Sequence, residues 1–343
     1  MLYYEKRYNY ITKILDNGFC IYYISEQEGT KLLNLKGNYA NTKKIKLVRM
    51  ITENYCLFVV DIFTNNSSIT PNITKGDMVL FMNLETGKVE EHFALQYDIL
   101  NVLLVENYIL IVTKNKIFIY YLDNNNSLNK LDNLEFKKTI NTIDNVLGLA
   151  SARIVTNNLL IATLGKKSGQ ILLCTLNKKS NKYIDAHNHD ITNIELNDNG
   201  NLVCTTSNMG TLINIFDVNT LNREYQFRRG SFNAQIYNIS FSYDSKYIAL
   251  CSSNNTIHIF YLHLKSENIK NNTSSFNILS SLINICGSEW AYKIFKIPET
   301  KSITNCYFGN NSDNILHILT KDNYHCIMSI EKDTDTQLIY NFD

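Results

Sequence analysis

The stretch Gly210-Thr211-Leu212-Ile213-Asn214-Ile215-Phe216 sets the pattern that decides the fold. A turn residue opens this stretch and apolar side chains alternate after it, which is typical of the second strand of a tight β-hairpin. Gly and Asn suit the opening position because they tolerate a positive φ. Similar copies open at six other positions, which are Gly18, Gly76, Asn115, Gly169, Asn255 and Asn323.

The seven copies return at a loose interval near the roughly 40–45 residues of one propeller blade. Most copies follow another short apolar strand, such as 202–205 before Gly210. The repeat therefore predicts an all-β, seven-bladed, WD-repeat-like β-propeller in a single domain over residues 1–343. A pair of β-sandwiches is the alternative, but it does not require so regular a return. Polar stretches at 65–75 and 122–138 are expected to be loops between strands.

The composition limits the classes of function. The 343 residues are 45% hydrophobic and 19% charged, which is typical of a globular chain. The net charge of +1 excludes a general polyanion-binding surface. We therefore expect no nucleic-acid partner and only local recognition of anions.

The cysteines and the first residues bear on the compartment. Eight cysteines stand singly, without C-x-x-C or another zinc spacing, which favours buried free thiols in a reducing compartment and no metal site. Residues 1–6 lack an apolar signal core, and no run reaches the length of a membrane span. These features predict a cytoplasmic protein without a cofactor.

An enzyme is the first alternative class of function, because propellers also carry hydrolases. Such an enzyme needs clustered acids or a nucleophile beside its base. The sequence contains no G-x-S-x-G, no H-E-x-x-H and no repeated Asp-box hairpins. We therefore predict no catalytic residues.

The tetrapeptide Phe227-Arg228-Arg229-Gly230 interrupts the repeat and is the strongest candidate for a binding site. It lies between two apolar, β-rich segments, which places it at the end of a strand. Successive strand side chains point to opposite faces, so Arg228 and Arg229 are expected at an exposed edge, in two separate anion sites. Guanidinium is permanently charged and its planar fork matches phosphate oxygens. A solvated surface pair is the alternative.

The motifs around this tetrapeptide resemble those of the PROPPIN family, the WD-repeat β-propellers that bind phosphoinositides in autophagy. The tetrapeptide, followed by a strand of the form T-x-H-x-F at 256–260, carries most of the resemblance. Other matches occur in the family's order, at His187, Thr205-Thr206-Ser207, Gly210-Thr211, Ile236-Tyr237 and Ser288-Glu289-Trp290. The resemblance implies a peripheral protein, recruited from the cytoplasm to membranes that carry phosphatidylinositol 3-phosphate or 3,5-bisphosphate, as an effector or scaffold in autophagy or organelle traffic.

The resemblance also implies two shallow headgroup pockets. The first group is His187, Ser207, Thr211 and Arg228, and the second group is Arg229, Ser252, Thr256 and His258. Each combines a permanent cation, an imidazole and hydroxyl donors, which suit a phosphomonoester. Protonated imidazoles are expected to strengthen binding at mildly acidic pH. The alternative is that both histidines are structural, and His189 is an alternative to His187.

Three departures from the family pattern concern this region. Asn214 stands where many members have an arginine, so the first group is expected to hold one cation fewer and to bind more weakly. The segment Ser231-Phe232-Asn233 replaces a polar, charged run, and Asn255 replaces a turn glycine.

A long loop at about 264–288 follows the second group. Its apolar side chains could share one face of a short helix, and in the family this loop enters the bilayer. The predicted membrane-inserting residues are Phe276, Ile278, Leu279, Leu282 and Ile283. Packing of these side chains back onto the propeller is the alternative.

The resemblance further implies a protein partner from the autophagy lipid-transfer machinery, held near Pro71-Asn72. Phe81 and Asn83 depart from the family's tryptophan and aspartate in that region. The chain is expected to be a monomer in solution. The alternative function is a protein-only WD-repeat scaffold, in which the arginine pair contacts another protein and no lipid.

Overall fold

The structure is a computed structural model, and its description covers most of the chain. The described residues are 2–5, 10–16, 18–25, 29–37, 44–61, 76–122, 134–178, 180–262, 289–297, 302–309, 315–330 and 338–341. Within these ranges the regular structure consists of β-strands, and no helix occurs.

The first compact unit, Met1–Gly148, contains three antiparallel four-stranded sheets. Sheet 1 consists of β1 (Leu2–Glu5), β2 (Tyr10–Leu15), β3 (Gly18–Ser25) and β4 (Gly29–Gly37). Sheet 2 consists of β5 (Ile45–Thr52), β6 (Tyr55–Asp61), β7 (Asp77–Asn83) and β8 (Lys88–Leu95). Sheet 3 consists of β9 (Ile99–Val105), β10 (Tyr108–Thr113), β11 (Lys116–Leu122) and β12 (Leu134–Asn141).

The second compact unit, Leu149–Asp343, contains four sheets. Sheet 4 consists of β13 (Ala150–Val155), β14 (Asn158–Leu164), β15 (Gln170–Thr175) and β16 (Lys182–Asp185). Sheet 5 consists of β17 (Ile191–Leu196), β18 (Leu202–Ser207), β19 (Leu212–Asp217), β20 (Arg223–Arg228) and β24 (Glu289–Trp290). Sheet 6 consists of β21 (Ile236–Phe241), β22 (Tyr247–Ser252), β23 (Thr256–Tyr261) and β25 (Lys293–Lys296). Sheet 7 consists of β26 (Ile303–Phe308), β27 (Ile315–Thr320), β28 (Tyr324–Ser329) and β29 (Leu338–Asn341).

Seven sheets of this size confirm the predicted all-β, seven-bladed β-propeller. Each of the seven sequence copies forms the third strand of its sheet, and these strands are β3, β7, β11, β15, β19, β23 and β28. Five of the seven opening residues have the predicted positive φ, among them Gly210 with a φ of 59° and Asn255 with a φ of 54°. One predicted loop is too long, because the expected loop 122–138 overlaps the start of β12 at Leu134.

Neighbouring sheets within the second unit pack through apolar faces that alternate with polar ones. Between sheets 5 and 6, Phe227 is buried and its ring stacks on that of Phe260, with centroids 4.9 Å apart. Ile213, Ile215 and other apolar side chains complete this core. The first residue of the arginine tetrapeptide is thus a core residue, and it fixes the end of β20 against the next sheet.

Among the described strands of the second unit, the chain leaves strict sheet order once. After β23 of sheet 6 it returns to the outer edge of sheet 5, where β24 pairs in parallel with β20. It then adds β25 as the antiparallel fourth strand of sheet 6, beside β23. The segment 289–296 therefore covers the outer edges of both sheets that carry the candidate site.

Candidate functional site

Arg228 lies at the outer edge of sheet 5. It is the last residue of β20, opposite Leu212 of β19 on one side and Trp290 of β24 on the other. Its side chain is half-buried. The predicted position at the end of a strand is confirmed for this residue.

Arg229 departs from the expectation that both arginines are exposed. It is only 5% exposed, and its Nε donates to the carbonyl oxygen of Gly210 at 2.7 Å. Its Nη2 donates to the carbonyl oxygen of Phe232. Because the strand ends at Arg228, the chain turns at Arg229 and carries its guanidinium inward. Burial lowers the pKa of this guanidinium below its usual value.

The second group forms a short hydrogen-bonded chain at the turn between β22 and β23. Ser252 Oγ lies 3.0 Å from Thr256 Oγ1, and Thr256 Oγ1 lies 3.1 Å from His258 Nε2. Thr256 and His258 are two residues apart on one strand, so they share a face of the sheet. The structure therefore brings three of the four predicted residues into direct contact.

His258 has an unsatisfied ring nitrogen. The side chain is 5% exposed, and its Nδ1 is buried without a hydrogen-bond partner. A buried polar atom without a partner is costly unless something else supplies the bond. In the tautomer with the proton on Nδ1, Nε2 accepts from Thr256 and Nδ1–H remains as a donor. Such a donor suits a phosphate oxygen.

The protonation state of this histidine differs from the expected one. Burial, helped by the positive charge of Arg229, lowers the pKa of His258 to about 4. The ring is thus neutral at mildly acidic pH. In the ligand-free protein the His258 ring therefore lacks the charge that was expected from the sequence, because burial disfavours the protonated imidazole.

His187 of the first group has partners on both ring nitrogens. Its Nε2 lies 3.1 Å from Thr205 Oγ1, and its Nδ1 lies 3.4 Å from the side-chain nitrogen of Asn214. The amide nitrogen of Asn214 can only donate, so His187 Nδ1 accepts and His187 Nε2–H donates to Thr205 Oγ1. Burial lowers the pKa of His187 to about 4 as well. This geometry favours the structural alternative for His187, while His189 is exposed.

The other members of the first group lie near one end of sheet 5. Ser207 ends β18 and is buried, and the hairpin places Thr211 just before β19. The amide of Arg229 donates to the Thr211 carbonyl oxygen at 2.9 Å, which ties the arginine pair to this hairpin. The structure thus gathers Ser207, Thr211 and Arg228 around the hairpin turn.

Asn214, which replaces an arginine of the family pattern, has a positioning role. It is buried, donates to the carbonyl oxygen of Ala186 at 2.8 Å and accepts from Gln226 at 3.0 Å. These bonds hold the segment that carries His187 against sheet 5. The substitution therefore exchanges a cation for a neutral support.

The sequence interpretation missed one cation. Lys296 of β25 lies directly opposite Thr256 of β23, and Ile294 lies opposite His258. Residues that pair across two antiparallel strands point to the same face. Lys296 therefore adds a positive charge beside the second group. The only signal in the sequence was the pair of lysines that flanks Ile294 and Phe295 after Trp290.

Comparison with known proteins places this geometry in a family. The PROPPIN family model matches residues 27–286, about three quarters of the chain. The chain belongs to the PROPPIN family. The resemblance carried by the tetrapeptide is thus confirmed.

The curated relatives match one part of this PROPPIN. Autophagy-related protein 18 of Saccharomyces cerevisiae is 41% identical over 95 residues, which are 28% of this chain and 19% of the relative. Autophagy-related protein 18 of Kluyveromyces marxianus is 42% identical over 90 residues, 26% of this chain and 17% of the relative. The matches therefore span less than a fifth of these relatives.

Solved structures match the whole PROPPIN fold. Kluyveromyces marxianus Hsv2 superposes with a TM-score of 0.68 and 17% identity, over 100% of this chain and 96% of that one. KlAtg21, in its complex with the coiled-coil of AgAtg16, gives a TM-score of 0.69 and 19% identity, over 100% and 99%. At these identities the likeness establishes the fold alone.

Two predicted features of this PROPPIN lie outside the described residues. These are the loop at 264–288, with its five apolar side chains, and Pro71-Asn72. In the ranges that the structure describes, no helix could cross a membrane, and no three His, Cys, Asp or Glu side chains are grouped to hold a metal ion.

Proposed function

We propose that this PROPPIN binds phosphoinositide headgroups, with phosphatidylinositol 3-phosphate and 3,5-bisphosphate as its ligands, through the second group. The observation that carries the proposal is the unpartnered Nδ1 of His258. The other nitrogen of this ring is bonded to a chain of two hydroxyl groups, and the positive charge of Arg229 acts on the ring. The family of the chain is autophagy-related. Neutral donors and a fixed cation together match a phosphomonoester.

The first group is a second, weaker headgroup site in this proposal. Arg228 supplies its cation at the edge of the sheet, and Ser207 and Thr211 supply hydroxyl groups. His187 supports the site instead of donating to the ligand, because Thr205 and Asn214 occupy its nitrogens. Asn214 provides no charge. The two pockets are therefore unequal.

The cellular role that follows is that of a non-catalytic peripheral membrane protein. It is recruited from the cytoplasm to autophagic, endosomal, vacuolar or other organelle membranes and acts there as an effector or scaffold. The propeller also offers surfaces for a protein of the autophagy machinery. Support for such a partner comes from KlAtg21, whose structure was solved with the coiled-coil of AgAtg16.

Sedimentation with liposomes tests the lipid proposal against the protein-only scaffold. Wild type is expected to bind vesicles that contain phosphatidylinositol 3-phosphate and to ignore vesicles with the same amount of phosphatidylinositol. Arg228→Ala removes a bond to a charged group, worth about 1.5–3 kcal/mol, and is expected to weaken binding at least tenfold. Lys246→Ala is the matched control, because this lysine lies at the opposite end of sheet 6. Equal sedimentation with both vesicles would favour the scaffold.

A further inference from the structure

Phe232 is displayed to solvent two residues after the arginine tetrapeptide. Its side chain is 85% exposed, more than any other large hydrophobic residue in the described part of the chain. Most phenylalanines of folded proteins are buried, and exposing a whole ring forgoes a large gain in free energy. Covering this ring with a second apolar surface would therefore be favourable.

The backbone around Phe232 is held in place. Arg229 donates to the Phe232 carbonyl oxygen, and the amide of Ala234 donates to the Met209 carbonyl oxygen at 3.3 Å. The Ala234 carbonyl oxygen packs against Gly210 so closely that a Cβ there would lie 1.8 Å away. These contacts fix the turn on both sides of the ring. The ring is thus presented by a defined turn.

A second exposed apolar side chain lies next to the same group. Ile294 is 54% exposed on the outer strand of sheet 6, opposite His258. Lys296, two residues later, is opposite Thr256 and shares that face. Arg229 links the two places, because it holds the Phe232 carbonyl and its charge acts on His258. Apolar and cationic side chains therefore border the second group together.

An anionic bilayer has the chemistry that fits this border. A lipid surface offers phosphate groups to the cations and, just below them, acyl chains to the apolar side chains. A protein partner of this kind would need an acidic rim around an apolar pocket. Continuity with the second group, whose proposed ligand is a lipid headgroup, favours the membrane.

We propose that Phe232, together with Ile294 on the outer strand of sheet 6, inserts into an anionic membrane when the second group holds a lipid headgroup. This inference rests on the proposed function. The turn after the tetrapeptide is then a membrane anchor of its own, distinct from the segment 264–288. Stable attachment to a membrane takes more than one weak signal, and this turn supplies one.

Vesicle sedimentation and calorimetry on the full chain test the proposal. The Phe232→Ser variant is expected to bind vesicles with phosphatidylinositol 3-phosphate about tenfold more weakly than wild type. Its affinity for soluble, short-chain phosphatidylinositol 3-phosphate is expected to stay unchanged, because no side-chain atom of the second group is altered. Tyr243→Ser is the matched control, since this tyrosine is 62% exposed in the turn at the other end of sheet 6.

A spectroscopic readout separates insertion from contact. In Phe232→Trp, we expect bromine on the acyl chains to quench the added fluorescence relative to wild type, whose one tryptophan is Trp290. Wild-type vesicle binding that equals that of Phe232→Ser, or a new tryptophan that brominated lipid does not quench, overturns the inference and leaves the proposed function intact. A wild type that binds neither the vesicles nor the soluble lipid overturns the proposed function itself.

Discussion

The two histidines of the candidate site have opposite surroundings. Both rings are neutral near pH 7, because burial lowers each pKa to about 4. Both ring nitrogens of His187 are hydrogen-bonded, to Thr205 and to Asn214, whereas one ring nitrogen of His258 has no partner. A neutral ring can still recognise phosphate by donating one hydrogen bond, so the important property is the unused donor and not the charge.

This difference predicts an asymmetric pair of substitutions. His258→Ala is expected to weaken binding of soluble phosphatidylinositol 3-phosphate about tenfold, because a donor to the phosphate is lost. His187→Ala is expected to lower the free energy of unfolding by about 1–2 kcal/mol and to change affinity little. Calorimetry and urea unfolding on both variants check this. The assignment is contradicted if His187→Ala loses the ligand while His258→Ala retains it.

Residue types could be predicted from the sequence better than their exposure. The tetrapeptide indicated the strand end at Arg228, and the structure agrees. It did not indicate that Arg229 is buried, because that depends on two carbonyl oxygens, of Gly210 and Phe232, whose orientation no side-chain pattern encodes. Burial of the histidines, and hence their low pKa, was hidden for the same reason.

The glycines of two hairpin turns lie in close contact with the segment that follows each sheet. Gly210 has a left-handed φ and a carbonyl oxygen of the following loop against it, and Gly169 has the same arrangement with the His187 carbonyl oxygen, 1.8 Å from an added Cβ. In sheets 4 and 5, the turn glycine therefore contacts the segment that follows the fourth strand of the same sheet. The contact at Gly169 positions His187 of the first group, and the contact at Gly210 lies beside Arg229, whose Nε donates to the Gly210 carbonyl oxygen.

A pair of glycine substitutions isolates this contact. Gly87 also has a left-handed φ but nothing within 4 Å of an added Cβ, so Gly87→Ala is expected to cost only about 1–2 kcal/mol of backbone strain. Gly210→Ala adds a clash with the Ala234 carbonyl and is expected to destabilise the protein more, and to weaken lipid binding. Thermal unfolding and vesicle sedimentation of both variants measure this. Equal melting temperatures would refute the contact.

The edge strand β24 contains a natural reporter. Trp290 is the single tryptophan of the chain, and it lies opposite Arg228. Soluble phosphatidylinositol 3-phosphate bound at Arg228 is expected to change its fluorescence in a saturable manner. Arg228→Ala should abolish the change, while Lys246→Ala should preserve it. An unchanged emission spectrum at saturating ligand would place the ligand away from this edge.

Elements with a clear period were predictable, and short ones were not. Seven third strands followed from turn residues and alternating apolar positions, because those positions are decided locally. The two-residue β24 is too short to show a period, and its partner β20 lies far back in the chain. Lys296 was missed for a related reason. It lies on the short strand β25, and only the pairing of β25 with β23 brings it to the site.

The number of sheets in the protein could be predicted from the repeated sequence pattern. Seven similar copies required seven sheets, and the match of the PROPPIN family model to residues 27–286 agrees with them. A net charge of +1 fits local rather than general anion binding. Sequence alone could not assign the order in which sheets 5 and 6 complete their outer edges.

Buried histidines make the stability of the whole protein sensitive to acid. His317 and His325 form a buried pair, with Nδ1 and Nε2 2.9 Å apart, and burial lowers their pKa values to about 4 and about 3. His258 has a similarly low pKa. The unfolded chain takes up these protons near pH 6.5, so stability is full above that pH and falls as pH drops toward 4. Burial raises the pKa of Asp77, so this one carboxyl group changes the stability with pH in the opposite direction.

We therefore expect the free energy of unfolding to fall steeply between pH 7 and pH 5. Each of these histidines accounts for a loss of up to about 2 kcal/mol of this free energy at pH 5, because the loss is about 1.4 kcal/mol per pH unit below the unfolded pKa. His325→Gln keeps a hydrogen-bonding group without a proton to titrate, so its stability should fall less over the same range. Urea unfolding at pH 7.0, 6.0 and 5.0 compares the two proteins. Parallel curves would show that the pair does not titrate on unfolding.

The return of the chain to sheet 5 has a consequence for biosynthesis. Strand β20 is completed early, but β24, which pairs with its last two residues, follows all of β21, β22 and β23. Translation proceeds from the N-terminus, so a nascent chain that ends near residue 262 presents the backbone groups of β20 as an open edge. Open edges recruit foreign strands. Chains truncated on the ribosome before Glu289 lack the partner of Phe227 and Arg228, and they also lack β25 and sheet 7. Such chains should therefore aggregate or depend on chaperones.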